Sequence, residues 1–212
     1  MFLGASLMPD YFSSKINLFV ALAPVANTAF VDATMGVVLA PYISWIEFFM
    51  VRLGKMYNWF DPSYGTAMIN KCESWGLKHF CLNLLENFFF NSTVDNKDRM
   101  PVFFYKEPSG QSWRTFIYYA QMMNSKRYCL YDYGKRKNKK IYGSEEPPLV
   151  PIEDLNIPVG IFSGSLDHIG DPQDVAFLVE KLGDKAVFYK EYELDHYSFA
   201  LANDVTFMED AI

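Results

Sequence analysis

A carboxylate and an imidazole that follow two successive apolar segments are the side chains of this sequence best placed for chemistry. Asp167 comes after one predicted strand, and His196 comes after the next, 29 positions later. That interval accommodates one helix and one strand, so both residues would lie beyond the carboxyl ends of neighbouring parallel strands. A carboxylate that orients an imidazole forms the base half of a Ser-His-Asp hydrolytic site.

The alternatives to this pair are few, because the chain has only three histidines. His168 adjoins Asp167, and side chains of sequence neighbours tend to point apart, so these two make a poor dyad. Asp195 meets the same objection as a partner of His196, and His79 lies far from any predicted strand end. On spacing alone a second interpretation stays open, in which the acid is an ordinary loop residue and the base a surface histidine.

The nucleophile of such a site is not found in its usual form. α/β-Hydrolases place the serine in Gly-x-Ser-x-Gly at a strand-to-helix turn, with the chain order Ser, Asp, His. The nearest match, around Ser6, ends in Met8 where the second glycine should be and has no strand before it. We therefore interpret Ser6 as a helix residue and expect the nucleophile before Met1.

A helix between the two strands would set the interval between acid and base. Asp171 is a good N-cap, Pro172 suits the first helical position, and Asp174 places an acid in the first turn. The helix should run to about Leu182 and stop at Gly183. Both aspartates are explained as helix-start residues, and neither is assigned a catalytic role.

The remaining elements define the fold class as α/β with a parallel sheet. Residues 1–14 read as a helix that ends near Pro9, and residues 16–24 read as a buried parallel strand closed by a proline. Strands are also predicted over residues 158–163 and 186–192, with a final helix from Phe199 onward. Strands and helices that alternate with short loops favour parallel pairing.

The middle of the chain has a different character and predicts an insertion. Residues 28–150 are aromatic and helix-leaning, without a strand-helix-strand rhythm, and prolines near position 150 mark its exit. We therefore divide the chain into a core segment (1–27), a helical cap insertion (28–150) and a second core segment with the acid and base (151–212).

Composition limits the classes of function. Half of the 212 residues are hydrophobic, with 19 Phe, 14 Tyr and 10 Met, which suits either an aromatic core or the lining of an apolar cavity. The net charge of −6 disfavours a nucleic-acid partner. The basic run at residues 135–140 is expected to be a solvated loop. Asn91 begins an N-glycosylation triplet, and the first residues do not read as a signal peptide.

Several segments, in this order and spacing, resemble the acid lipase family of gastric and lysosomal lipases. Residues 15–26 are similar to the family's strand after the nucleophile helix. Residues 163–167 and 171–175 look like its acid motif and the helix that follows. Residues 195–199 look like its His-Leu-Asp-Phe motif, from which Tyr197 and Ser198 depart.

The resemblance extends into the insertion and implies a disulfide there. Residues 107–112 and 131–134 resemble the family's Pro-Ala-Gly-Thr-Ser and Phe-Asp-Trp-Gly segments. Cys72 and Cys81 match the family's disulfide pair in spacing. A straight helix would hold them roughly 13 Å apart, so the chain between them must bend. Cys129 has no counterpart and is expected to be a free thiol.

The resemblance implies a partial α/β-hydrolase fold with a largely helical cap and a lipase that hydrolyses triacylglycerols or sterol esters at a lipid-water interface. His196 would be the base and Asp167 the acid of the triad. The serine would stand about six residues before Met1. No metal or organic cofactor is implied, and the full-length protein would be secreted or lysosomal. Two alternatives stay open: a non-catalytic remnant that binds lipid or protein, and another serine hydrolase of the same topology.

Overall fold

The computed structural model describes residues 1–54, 93–99 and 112–211, together with residues 67, 70, 102 and 103. The chain divides into two compact units. The first consists mainly of Met1–Ser44 and Ile117–His196, and the second mainly of Trp45–Phe116 and Tyr197–Asp210. The three-part division at residues 27 and 150 stays a prediction.

A parallel sheet forms the centre of the first unit. Its strands are β1 (Phe19–Leu22), β2 (Val159–Gly164) and β3 (Ala186–Tyr192), in the order β1-β2-β3. The helices with described bounds are α1 (Phe2–Leu7), α2 (Pro9–Ser13), α3 (Thr34–Leu39), α4 (Ile43–Arg52), α5 (Trp113–Ser125), α6 (Lys135–Ile141), α7 (Pro172–Leu182) and α8 (Ser198–Leu201). Short 3-10 turns occupy Ala40–Tyr42, Lys97–Arg99, Ile152–Asp154, Gly183–Lys185 and Thr206–Ala211. The α/β class and the parallel pairing predicted from the sequence are confirmed.

The central strand β2 is buried along its whole length, as its apolar run predicted. Val159 and Ile161 point into the main core with α1 and α7. On the other face, the Phe162 ring lies 4.9 Å from the Phe188 ring of β3. Because both faces are covered, the carboxyl end of β2 is a rigid platform for the residues that follow it.

Strand β1 is shorter and more exposed than expected. It covers four residues, and Val20 and Leu22 are exposed. In the described part of the chain β1 pairs only with β2, so it lies at an edge of the sheet. Because side chains alternate between the two faces of a strand, Val20 and Leu22 lie on the same face, and that face is exposed while Ala21 is buried on the other. The prediction of full burial is therefore wrong.

Helix α7 follows its sequence signals closely. The Asp171 carboxylate accepts the backbone N–H of Gln173 at 2.8 Å, Pro172 opens the helix, and Gly183 ends it with φ 54°. The left-handed φ at that position favours glycine, which has no Cβ to clash. Residues 1–14 are mostly helical, and α1 ends just before Pro9, as predicted. Pro9 then begins a second short helix, α2, which was not predicted.

The basic run is a helix and not the loop that was expected. Lys135–Ile141 form α6, and the five basic side chains of the run are exposed. The Asp132 carboxylate accepts the N–H of Gly134 at 2.7 Å at the start of this helix. Lysine and arginine are good helix formers, and the buried Asn138 side chain ties the helix to the chain on either side of it through hydrogen bonds to Asp132 and Glu145.

The C-terminal segment differs from the single helix that was predicted. Helix α8 spans only four residues, Ser198–Leu201. A 3-10 turn begins at Thr206, and the Asp204 carboxylate accepts a hydrogen bond from the backbone N–H of that residue at 2.9 Å. This bond forms a turn between α8 and the 3-10 turn Thr206–Ala211, so the predicted helix is divided into two short pieces. No helix of the described residues is long and apolar enough to cross a membrane.

Candidate active site

Asp167 and His196 lie in direct contact within the first unit. The Nδ1 atom of His196 is 2.9 Å from Oδ2 of Asp167. The other carboxylate oxygen, Oδ1, accepts the backbone N–H groups of Ile169 at 2.8 Å and Gly170 at 2.7 Å. The carboxylate is fully buried and the imidazole is mostly buried. A fixed carboxylate on Nδ1 holds the proton there and leaves Nε2 as the basic atom of the ring.

Backbone hydrogen bonds hold the acid loop against the chain that leads to the base. Beyond the paired strands β2 and β3, Ser165 N donates to Tyr192 O at 2.8 Å. Leu166 N donates to Leu194 O at 3.2 Å. These bonds continue the contact between the two strands past their ends, so the positions of the acid and base loops depend on each other.

Two glycines permit the close approach of the loops. A Cβ atom at Gly164 would lie 2.2 Å from the carbonyl oxygen of Leu194. At Gly170 it would lie 2.8 Å from Oδ2 of Asp167 and 3.2 Å from the carbonyl oxygen of Pro24. Both positions therefore require the absence of a side chain. Sequence analysis did not single out Gly170, although its place between the acid and the helix was visible.

His168 forms a separate pair with Asp32. The Nδ1 atom of His168 is 2.7 Å from Oδ1 of Asp32, and both side chains are exposed. The hydrogen bond to the Asp32 carboxylate raises the pKa of His168 above its ordinary value, and burial acts in the opposite direction. His168 and Asp167 do not pair with each other through their side chains here, as the neighbour argument predicted.

Asp174 has a role that the sequence did not reveal. Its buried carboxylate accepts a hydrogen bond from Nδ2 of Asn27 at 2.7 Å. It also accepts hydrogen bonds from the backbone N–H groups of Ala29 at 3.2 Å and Phe30 at 2.8 Å. Burial raises the pKa of Asp174, and the two backbone donors act in the opposite direction. The Lys126 ammonium holds the same loop through the carbonyl oxygen of Ala29. An acid in the first turn of a helix usually faces solvent, so no local signal indicated this contact.

Of the remaining residues singled out from the sequence, two lie among the described residues and four lie outside them. Ser6 lies in α1, and its Oγ donates to the carbonyl oxygen of Phe2 at 2.8 Å, which agrees with its interpretation as a helix residue. Cys129 is a buried free thiol, and burial raises its pKa. Cys72, Cys81, Asn91 and His79 lie outside the described residues. Among the described residues no group of three or more His, Cys, Asp or Glu side chains could hold a metal ion.

The arrangement defines a class of site. A buried carboxylate oriented by two N–H groups holds an imidazole at the carboxyl ends of adjacent parallel strands. Such a pair can accept a proton from a nucleophile or a water molecule and return it to a leaving group. The first unit is therefore an α/β structure that presents a carboxylate–imidazole pair at the carboxyl ends of two neighbouring strands.

Comparison with known proteins identifies the relatives of this chain. No protein-family model matches it. It is 31% identical to rat gastric triacylglycerol lipase over 201 residues, which are 91% of this chain and 49% of the lipase. It is 28% identical to human gastric triacylglycerol lipase, over 96% of this chain and 51% of that protein. For rat lysosomal acid lipase/cholesteryl ester hydrolase the identity is 26%, over 93% and 50% of the two chains.

The chain spans about half the length of the curated relatives it matches. Within that half, the similarity covers nearly the whole of the present sequence. The resemblance stated from the motifs is therefore confirmed: over nearly its whole length the chain is similar to gastric and lysosomal lipases of the acid lipase family.

Proposed function

We propose that this chain carries the acid and the base of a serine ester hydrolase of the acid lipase type. Asp167 would be the acid and His196 the base of a Ser-His-Asp triad in an α/β-hydrolase fold. The observation that carries the proposal is the 2.9 Å contact between Nδ1 of His196 and the buried Oδ2 of Asp167. The names of the relatives, which are triacylglycerol and cholesteryl ester lipases, supply the reaction class.

The chemistry follows the roles of these groups. Nε2 of His196 would take the hydroxyl proton of the nucleophilic serine as the serine attacks the ester carbonyl. The same nitrogen would return the proton to the leaving alcohol. Asp167 would hold the proton on Nδ1 and stabilise the imidazolium while it lasts. No metal or organic cofactor enters this scheme.

A lipid ester is the substrate class that the proposal favours, as a triacylglycerol or a sterol ester at a lipid-water interface. Support comes from the apolar side chains that α3, α4 and the turn between them expose, and a cap rich in such side chains would shield acyl groups from water. These exposed residues include Val38, Tyr42, Trp45, Phe49 and Leu53. A secreted or lysosomal location for the whole protein would agree with the names of the relatives.

The test is hydrolysis of emulsified trioleoylglycerol, cholesteryl oleate and a short p-nitrophenyl ester by the protein expressed from its full-length transcript. His196→Ala should lower kcat by roughly 10⁴-fold. His168→Ala is the matched control, because it removes an imidazole from the exposed pair, and it should retain activity. Equal losses in the two variants would contradict the assignment of the base.

The same assay separates the alternatives. Preference for the short ester over both lipid esters would favour another serine hydrolase of this topology. The 212-residue chain alone contains no Gly-x-Ser-x-Gly sequence, and we expect it to show no esterase activity. Hydrolysis by that chain, abolished by His196→Ala, would overturn this expectation.

A further inference from the structure

Helix α6 concentrates positive charge on a chain that is acidic as a whole. Its seven residues include five basic side chains, whereas the whole chain has a net charge of −6. At about 100° per residue, these five cover an arc of roughly 200° around the helix. Asn138 lies on the opposite side and is buried. The helix therefore presents one basic face. The residues of this face are Lys135, Arg136, Lys137, Lys139 and Lys140.

Asn138 fixes the rotation of this helix. Its Nδ2 donates to Oδ1 of Asp132 at 2.7 Å and to the carbonyl oxygen of Glu145 at 2.9 Å. Its Oδ1 accepts the N–H of Tyr133 at 2.9 Å. A buried amide with all these bonds made is costly to turn, so the basic face points outward in a fixed direction.

Nearby carboxylates leave most of this charge without compensation. Glu145 is 3.9 Å from Lys135, a distant and exposed pair, and Glu146 pairs with Arg127 outside the helix at 2.6 Å. The Asp132 carboxylate already accepts hydrogen bonds from the backbone N–H of Gly134 and from Nδ2 of Asn138. The other four basic residues of the face form no ion pair within the described part of the chain. A surface that concentrates free cations in this way attracts an anionic partner.

We propose that α6 is a docking surface for the headgroups of anionic lipids. The choice of a lipid surface as the partner rests on the proposed function, because a lipase must stay at an interface while it works. Ile141, which is 55% exposed, extends the basic face with an apolar side chain that can enter the boundary between headgroups and acyl chains. The lysine stems can lie on the same boundary while their ammonium groups remain at the headgroups.

The test is cosedimentation of the purified 212-residue chain with vesicles, which does not depend on ester hydrolysis. Vesicles of phosphatidylcholine and phosphatidylserine in equal amounts should bind the chain, and vesicles of phosphatidylcholine alone should bind it much less. Arg136→Gln, Lys139→Gln and Lys140→Gln together should weaken binding to the anionic vesicles about 10- to 100-fold. Added salt should weaken binding of the unchanged chain and have less effect on this variant.

A matched control removes the same number of charges elsewhere. Lys15→Gln, Arg99→Gln and Lys190→Gln together should bind the anionic vesicles nearly as the unchanged chain does, and so should a variant that replaces Lys139 and Lys140 by arginine. Circular dichroism of each variant verifies that the fold is retained. The same vesicle measurement on the protein from the full-length transcript covers the case in which a variant of the short chain does not fold.

Three results would overturn the proposal. These are equal binding to both kinds of vesicle, equal losses in the α6 variant and its control, and tighter binding of a double-stranded RNA that α6 substitutions abolish. The last result would identify a nucleic acid as the partner. Anionic vesicle binding by the protein from the full-length transcript, together with no hydrolysis of any of the three esters by that protein, would keep the docking surface and reject the proposed function.

Discussion

Two aspartate–histidine pairs in the first unit have nearly the same geometry and very different surroundings. The Asp167–His196 contact is 2.9 Å and the Asp32–His168 contact is 2.7 Å. The side chains of the first pair are 0% and 22% exposed, whereas those of the second are 61% and 67% exposed. The shorter contact therefore belongs to the pair with less support, so distance alone does not identify a catalytic dyad.

The difference comes from what fixes each carboxylate. Asp167 follows a strand that is buried on both faces, and two backbone N–H groups hold its second oxygen. Its attraction for the imidazole acts with little screening by water. Asp32 and His168 are solvated, so their attraction is screened and their side chains remain free to rotate. The first pair is held in place by the backbone, as the proposed proton transfer requires, and the second is an ordinary surface pair.

The largest effect is expected from Gly164→Ala, which tests whether the buried pair depends on its backbone frame. The new Cβ would lie 2.2 Å from the carbonyl oxygen of Leu194, so one of the two loops must move. We expect a loss of about 3 kcal/mol or more in the free energy of unfolding, measured by urea denaturation. Gly160→Ala is the control on the same strand, because its Cβ would meet only ordinary contacts at 3.9 Å and beyond. Equal effects in the two variants would contradict this account of the frame.

The contrast between the pairs is tested directly by removing each carboxylate. Asp167→Ala leaves the N–H groups of Ile169 and Gly170 and the Nδ1 atom of His196 without their acceptor, and should cost about 2–4 kcal/mol of unfolding free energy. Asp32→Ala removes a solvated partner and should cost about 1 kcal/mol or less. The two variants should also differ in the NMR signal of the His196 Nδ1 proton, which only Asp167→Ala should remove. Similar losses of unfolding free energy in Asp167→Ala and Asp32→Ala would contradict the proposed difference between the two pairs.

The sequence was sufficient for the parts of this contrast that depend on chain order and local signals. The apolar run of β2, the capping residues of α7 and the interval between acid and base predict that Asp167 and His196 lie beyond neighbouring parallel strands. Spacing alone leaves open whether they form a pair, and the resemblance to acid lipases favours that they do. Each of these features acts over a few neighbouring residues or follows from the geometry of parallel strands. The same reasoning predicted that Asp167 and His168 would not face each other.

The features that the sequence did not predict, or predicted wrongly, depend on contacts between distant segments. The partnership of His168 with Asp32 joins residues 136 positions apart, and that of Asp174 with Asn27 joins residues 147 positions apart. No periodicity in one sequence encodes such contacts. The exposure of β1 depends on what covers its two faces, and the basic helix is held by the buried Asn138, which bonds to Asp132 and Glu145. Tertiary context overrides local propensity at each of these positions.

Asp174→Ala should loosen the segment that leads to Asp32 and leave the loop that holds the Asp167 carboxylate unchanged. Its carboxylate holds residues 27–30, and the chain continues from there to Asp32. Loss of these buried hydrogen bonds should cost about 1–3 kcal/mol of unfolding free energy. Hydrogen exchange should increase at Ala29 and Phe30 and remain unchanged at Ile169 and Gly170, whose acceptor is Asp167. Asp171→Ala is the control for a helix-start acid and should cost about 1 kcal/mol. Increased exchange at Gly170 in Asp174→Ala would show that the two carboxylates act as one network.

The smallest effect concerns the pH dependence of the exposed pair. The Asp32 hydrogen bond raises the folded-state pKa of His168 above its ordinary value of 6.5. A raised folded-state pKa means that the folded chain binds the proton more tightly, so this pair stabilises the fold below pH 6.5 and its contribution disappears as the pH rises through the raised pKa. Asp32→Asn should therefore lower the Tm slightly under mildly acidic conditions and leave it unchanged under alkaline conditions. It should also return the NMR titration of His168 to its ordinary range. A Tm difference that grew with rising pH would contradict the sign of this linkage, and an unchanged His168 titration would remove Asp32 as its cause.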